Sequence, residues 1–182
     1  MMEVGASFIA QPTPRRSRSY AAHVIDRIVA VCGVIPYALV ALVLRLVMAR
    51  AFFLSGQAMV VGPDIPLSIR GFEFSVILPA QVREEVLSGF TAQFATVPVS
   101  PVFIAYGFAY AEFLLPICLV VGFGTRVAAF ILLVMTAVVQ IYVEPDALWT
   151  THMYWFSLLL VLMTCGGGAI SLDRLVRHLY QN

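Results

Sequence analysis

The sequence contains no lysine, and all eleven of its basic residues are arginine. Charge of either sign is scarce: Asp, Glu, Lys and Arg make up 12% of the chain, where soluble domains run to about a quarter. No basic stripe accompanies the formal net charge of +1, so the charge does not point to nucleic acid and no such partner is expected. The three cysteines, Cys32, Cys118 and Cys165, stand singly in apolar runs with no CxxC among them. That argues against a disulfide framework or a thiol-redox pair and leaves them as small buried hydrophobes. A bis-histidine haem needs two histidines at matching depth. His23 and His178 lie outside the apolar runs and only His152 is near one. The glycine-rich "CGGGAISLD" follows an apolar run and lacks the Lys-Ser/Thr of a phosphate loop, so its role is to end a helix, with Ser171 and Asp173 capping a short amphipathic tail.

What the chain has in excess is hydrophobic residues, 61% of 182. A bilayer core of about 30 Å calls for about 20 consecutive apolar helical residues, because only a backbone that satisfies its own hydrogen bonds survives there. Four stretches qualify: 28–57, with Pro36 as a kink or boundary, then 102–121, 127–143 and 152–170. The polar N-terminal segment, with "PRRSRSY", precedes an apolar run too long for a signal peptide, so the first stretch reads as a retained span. "GFGTR" makes a tight turn between spans two and three, and "EPDALWT" a short turn between three and four. The long connection 58–101 reads as an insertion: a small hairpin across Arg70-Gly71, then a helix with Val82, Val86, Phe90 and Phe94 on one stripe that lies on the membrane or caps the bundle. The division expected is a polar segment over 1–27, a membrane domain over 28–176 and a tail over 177–182. The fold class expected is an all-α four-transmembrane-helix bundle.

Orientation follows from arginine. With the N-terminus cytoplasmic, that side holds Arg15, Arg16, Arg18, Arg27, Arg126, Arg174 and Arg177, and the opposite side only Arg70 and Arg83. This is the positive-inside pattern, with both termini cytoplasmic and the insertion periplasmic.

Three charges fall deep within the expected spans. Arg45 and Arg50 stand in the first, and Glu112 is the lone formal charge between Glu85 and Arg126. Each costs at least about 2.5–3.5 kcal/mol at mid-membrane on insertion scales, so each is expected to face protein and find a partner. With the first span entering near Val34, a rise of about 1.5 Å per residue puts Arg45 about 16 Å and Arg50 about 24 Å from the inner face, and Glu112 about 15 Å from either face. An ion pair Arg45–Glu112 is therefore expected, with Arg50 as second candidate. Such a pair is either architecture or part of a functional site. Arg50, Gln57, Tyr106, Tyr110, Gln140 and His152 collect in the outer half as a candidate polar pocket with aromatic walls, suited to a polar head on an apolar tail.

The stretches "LRLVMARAFFLSGQ", "AYAEFLLPICLVVGFGTRVAAFILLVMTAVVQIYVEPDALWTTHMYW" and "GGGAISLDRLV", taken together and in this order, resemble the DoxX family. Two details depart from the family pattern: Gln57 follows Gly56 where a Lys or Arg is common, and the "PDALW" turn is one residue longer. The resemblance implies a four-helix protein of a bacterial or archaeal inner membrane, similar to the small membrane subunit of thiosulfate:quinone oxidoreductases. It implies roles for Arg45, Arg50, Glu112, Arg126 and His152, no intrinsic cofactor, contact with quinone, and other subunits of a membrane redox complex as partners. A scaffold or assembly factor without redox chemistry is the alternative, and a small transporter using Glu112 a third.

Overall fold

The computed structural model describes residues 24, 25 and 27, 36–69 and 72–180. The four spans lie in the unit that begins at Pro36. Residues 28–35, expected to open the first span, and Cys32 lie outside the described residues.

Helix α1 runs Tyr37–Met59, entered from Pro36 in extended conformation. Proline fixes its own φ and disfavours helix in the residue before it, so it serves as a boundary. An insertion follows. Strands β1 (Val60–Val61), β2 (Asp64–Ile69), β3 (Phe72–Ile77) and β4 (Gln81–Val82) form two antiparallel pairs, β1 with β4 and β2 with β3. The expected hairpin is present in its strands, from Asp64 opposite Ile77 to Ile69 opposite Phe72; Arg70 and Gly71 lie outside the described residues. Helix α2 is shorter than the expected stripe, Glu84–Gln93. Val82 pairs with Val60 in a strand instead, yet it shares a cluster with Phe90, Phe94, Ala105 and Ala109. Of the two placements expected for the insertion helix, it takes the cap on the bundle, packing on the next span.

That span is α3 (Pro101–Val121), opening with proline at the first turn, where a missing N–H costs nothing, and closing at Gly122 in left-handed conformation (φ 76°). Helix α4 covers Thr125–Tyr142. The fourth membrane-crossing stretch, Pro145–Cys165, is compound: a 3-10 turn (Pro145–Ala147), a π turn (Leu148–His152) and α5 (Met153–Cys165). It stops five residues before the expected end because Gly166 (φ 80°) and Gly168 (φ 74°) turn the chain back. Helix α6, Leu172–Tyr180, completes the fold.

Helix α1 packs on α3, α4 on α5, and the α3–α4 and α1–α5 contacts close the bundle. Lipid tails are as apolar as leucine, so close fit rather than water exclusion joins spans, and small residues at the crossings permit it. Ala41, Ala49 and Gly56 on α1, Ala105 and Ala109 on α3, and Ala128 and Ala129 on α4 are all buried. Between them sit Met48, Phe52, Leu119, Leu132, Leu159 and Leu162.

Candidate functional site: two buried charges at opposite levels of the bundle

Arg45 is 1% exposed, at the level where α3 ends. A side chain on Gly122 would collide with its Nη1, so glycine there supplies both the left-handed turn and the room for a guanidinium. Arg45 Nη2 donates to the Ile170 carbonyl, while Nε and Nη1 have no hydrogen-bond partner among the described residues. The segment after α5 is tied over this point. Tyr37 donates its hydroxyl proton to the Gly166 carbonyl (2.8 Å), Ser171 donates to Gly168 (2.8 Å), and the Asp173 amide donates to Gly122 (3.0 Å). The Asp173 carboxylate accepts from the backbone N–H groups of Gly124 (2.6 Å) and Thr125 (2.9 Å). A carboxylate at a helix N-terminus satisfies orphan donors and meets the positive end of the helix dipole. Asp173 thus caps α4, across a turn distant in sequence, and Ser171 spends its hydroxyl on the glycine loop. The expectation that both cap their own tail is corrected: the tail folds back onto the GFGT turn instead of running free.

Glu112 is 6% exposed and belongs to another level. It packs against Gly56, where an added Cβ would sit 2.9 Å from the Glu112 Cβ and 3.0 Å from its carbonyl carbon. Ser55 is its polar neighbour, and Oε2 has no hydrogen-bond partner among the described residues. Pro116, inside α3, has no N–H, so the Glu112 carbonyl also lacks its i+4 helical donor. The expected Arg45–Glu112 pair is not formed. Eleven residues separate Arg45 from Gly56, about 16 Å along a helix, and ten separate Glu112 from Gly122, about 15 Å. The antiparallel register sets Gly56 opposite Glu112 and Gly122 opposite Arg45. Assigning the two spans matching depths ignored this offset.

The six residues of the expected polar pocket go to different places. The Gln57 amide brackets one residue of the hairpin, donating to the Ile77 carbonyl (3.0 Å) and accepting from its N–H (2.6 Å). Gln140 donates to the Pro145 carbonyl (2.6 Å), which turns its amide oxygen toward His152 Nδ1 at 2.6 Å. An amide oxygen only accepts, so Nδ1 carries the proton and Nε2 is left toward Glu144, 4.0 Å away. His152 is 3% exposed and packs on Trp155, which packs in turn on Phe52. The i→i+5 bond from Met153 N–H to the Leu148 carbonyl accommodates one residue more than an α turn, in the π turn that ends at the buried His152. Tyr106 and Tyr110 stack on each other, with Tyr110 on the exposed face of α3. Arg50 is exposed, on a stripe of α1 with Leu46, Val47 and Leu54. Of the six, hydrogen bonds join only Gln140 and His152.

Sequence reasoning missed the joint around Arg45, built by Tyr37, Gly122, Ile170 and Asp173. The signals that locate it are "GFGTR" and "SLD", two polar punctuations read separately as local turns. A protein-family model described as DoxX matches residues 40–145, more than half of the chain. No curated protein and no solved structure matches it.

Proposed function

This chain belongs to the DoxX family, and we propose that it serves as an accessory subunit of a membrane redox assembly, docking a partner's helix through the Arg50 face of α1. It is a multi-pass membrane protein with four membrane-crossing helices. Arg50 carries the proposal. It lies thirteen residues after Tyr37 and nine before Met59, about 20 Å and about 14 Å along the helix. Its exposed neighbours on α1 are apolar, and among the described residues it forms no ion pair. A guanidinium at that depth costs at least about 2.5–3.5 kcal/mol, which a carboxylate on an adjoining transmembrane helix offsets. The redox setting rests on the resemblance to oxidoreductase membrane subunits.

The Gln140 amide oxygen and His152 Nδ1 are taken by one another and do not fit as free contacts for a quinone. Quinone is therefore proposed as a carrier of the assembly, held largely by a partner. The resemblance supports a bacterial or archaeal inner membrane, and the arginine bias supports placing the Arg126–Arg174 end toward the cytoplasm. The test is purification in mild detergent of wild type and Arg50→Ala, with protein mass spectrometry, a visible spectrum and quinone extraction on each sample. A stoichiometric chromophore-bearing partner lost in Arg50→Ala supports the proposal. A colourless partner supports the scaffold reading. If Arg50 only snorkels to the interface, the two samples carry the same proteins and the docking face is wrong.

A further inference from the structure

The end of the bundle that carries Arg45 holds a cavity of about 710 Å³ that the docking proposal does not use. Its wall is cationic: Arg126, Arg174, Arg177 and His178, with Tyr37 and the Gly166–Gly168 loop. The one acidic lining residue, Asp173, is engaged by the Gly124 and Thr125 N–H groups. None of the three arginines forms an ion pair among the described residues. Arg45 stands behind this wall, 1% exposed with Nε and Nη1 unpartnered, and it shares the Gly122 surface with Ser171, another lining residue. Three outward arginines and one buried arginine thus converge where a single, already bonded carboxylate opposes them.

Helix α6 indicates the source of the ligand. Arg174, Arg177 and His178 are exposed on it alongside Leu175 (54% exposed) and Leu179 (68% exposed). A short helix with basic and apolar faces lies in the headgroup region of a bilayer. Basic pockets between spans are suited to anionic headgroups. We propose that this cavity binds the phosphate group of an anionic phospholipid, with the guanidinium groups of Arg126, Arg174 and Arg177 on the phosphate oxygens and the acyl chains against the apolar face of α6.

The test is native mass spectrometry of the full chain in detergent, titrated with dioleoylphosphatidylglycerol, with dioleoylphosphatidylcholine, and with inorganic phosphate as competitor. Three arginines, each contributing about fivefold near a lipid surface, predict a preference for the anionic lipid on the order of a hundredfold. Arg174→Gln/Arg177→Gln is expected to lower it about thirtyfold; both side chains are exposed, and an unchanged circular dichroism spectrum confirms that the fold is kept. Displacement of the lipid by inorganic phosphate at matched concentration assigns the same site to a soluble phosphate, and no displacement assigns it to the lipid. Equal retention of the two lipids, or an undiminished preference in the folded double variant, overturns the proposal.

Discussion

Placing a methyl group at residue 56 tests whether α1 and α3 meet at Glu112 as described. In Gly56→Ala the new Cβ starts 2.9 Å from the Glu112 Cβ and 3.1 Å from its carbonyl oxygen. Carbon–carbon contact is optimal at about 3.5–4.0 Å, so the helices must part by roughly 0.6–1 Å. A gap of that size forfeits about a quarter to a half of each contact elsewhere along the crossing; Phe53 against Phe113, with ring centroids 5.7 Å apart, is one such contact. Overpacking of this kind costs about 1–3 kcal/mol. Alanine returns about 0.8–1.0 kcal/mol of helix propensity, leaving a net loss of about 1 kcal/mol. Gly56→Leu regains a similar propensity term, but its bulk cannot be met by so small a parting of the helices, and it is expected to prevent assembly of the bundle. The assay is reversible unfolding in mixed detergent micelles, followed by circular dichroism. A Gly56→Ala variant stabilised by the full propensity term would refute the reasoning, because it would mean the two backbones are not in contact.

Asp173→Ala removes two acceptors from the start of α4 and is expected to lose about 1–2 kcal/mol in the same assay. Asp173→Asn, which keeps one oxygen, is expected to lose roughly half as much; equal losses would mean charge rather than hydrogen bonding holds the turn. Glu112→Gln is nearly isosteric and replaces a buried carboxyl whose Oε2 is unpartnered, so any loss of stability is expected to stay within the about 1–3 kcal/mol of one unsatisfied polar group. Proton flux into liposomes is expected to be absent for both proteins, and flux in wild type abolished by the variant would establish the transporter reading. His152→Ala leaves the Gln140 amide oxygen without its donor and is expected to cost about 1–3 kcal/mol by micelle unfolding. An unaffected midpoint would argue that the Gln140–His152 bond is not formed.

The spans were legible because membrane depth imposes one simple requirement, a long apolar helix, and each boundary carried its own punctuation. Pro36 opened α1, Pro101 opened α3 and Gly122 closed it. The hairpin and the apolar stripe through Val86, Phe90 and Phe94 were legible by periodicity, although Val82 belonged to a strand. What the sequence did not reveal was the axial register between spans. Register is set by which small residue faces which neighbour, and Gly56 against Glu112 is a contact between residues 56 positions apart with no local signature. Equal depth was assumed in its place, and Arg45 and Glu112 were joined across about 16 Å of helix. The polar pocket failed for a related reason. Gln57 is bonded to the backbone of Ile77, while Gln140 and His152 are bonded to each other, and composition cannot show which donors are already taken. Asp173 was recognised as a cap but assigned to its nearest helix, since sequence proximity is the only guide when the fold-back is unknown.

The fold-back has a bearing on how the protein is made. Gly124 and Thr125 emerge from the ribosome about fifty residues before the carboxylate that satisfies them. Until Asp173 arrives, the α3–α4 turn holds open donors and Arg45 lacks the Ile170 carbonyl. The third span therefore enters the bilayer with its leading turn unfinished, and residues translated after the fourth span are the ones that fasten it. A chain cut short of residue 170 carries all four hydrophobic spans yet leaves this clasp undone.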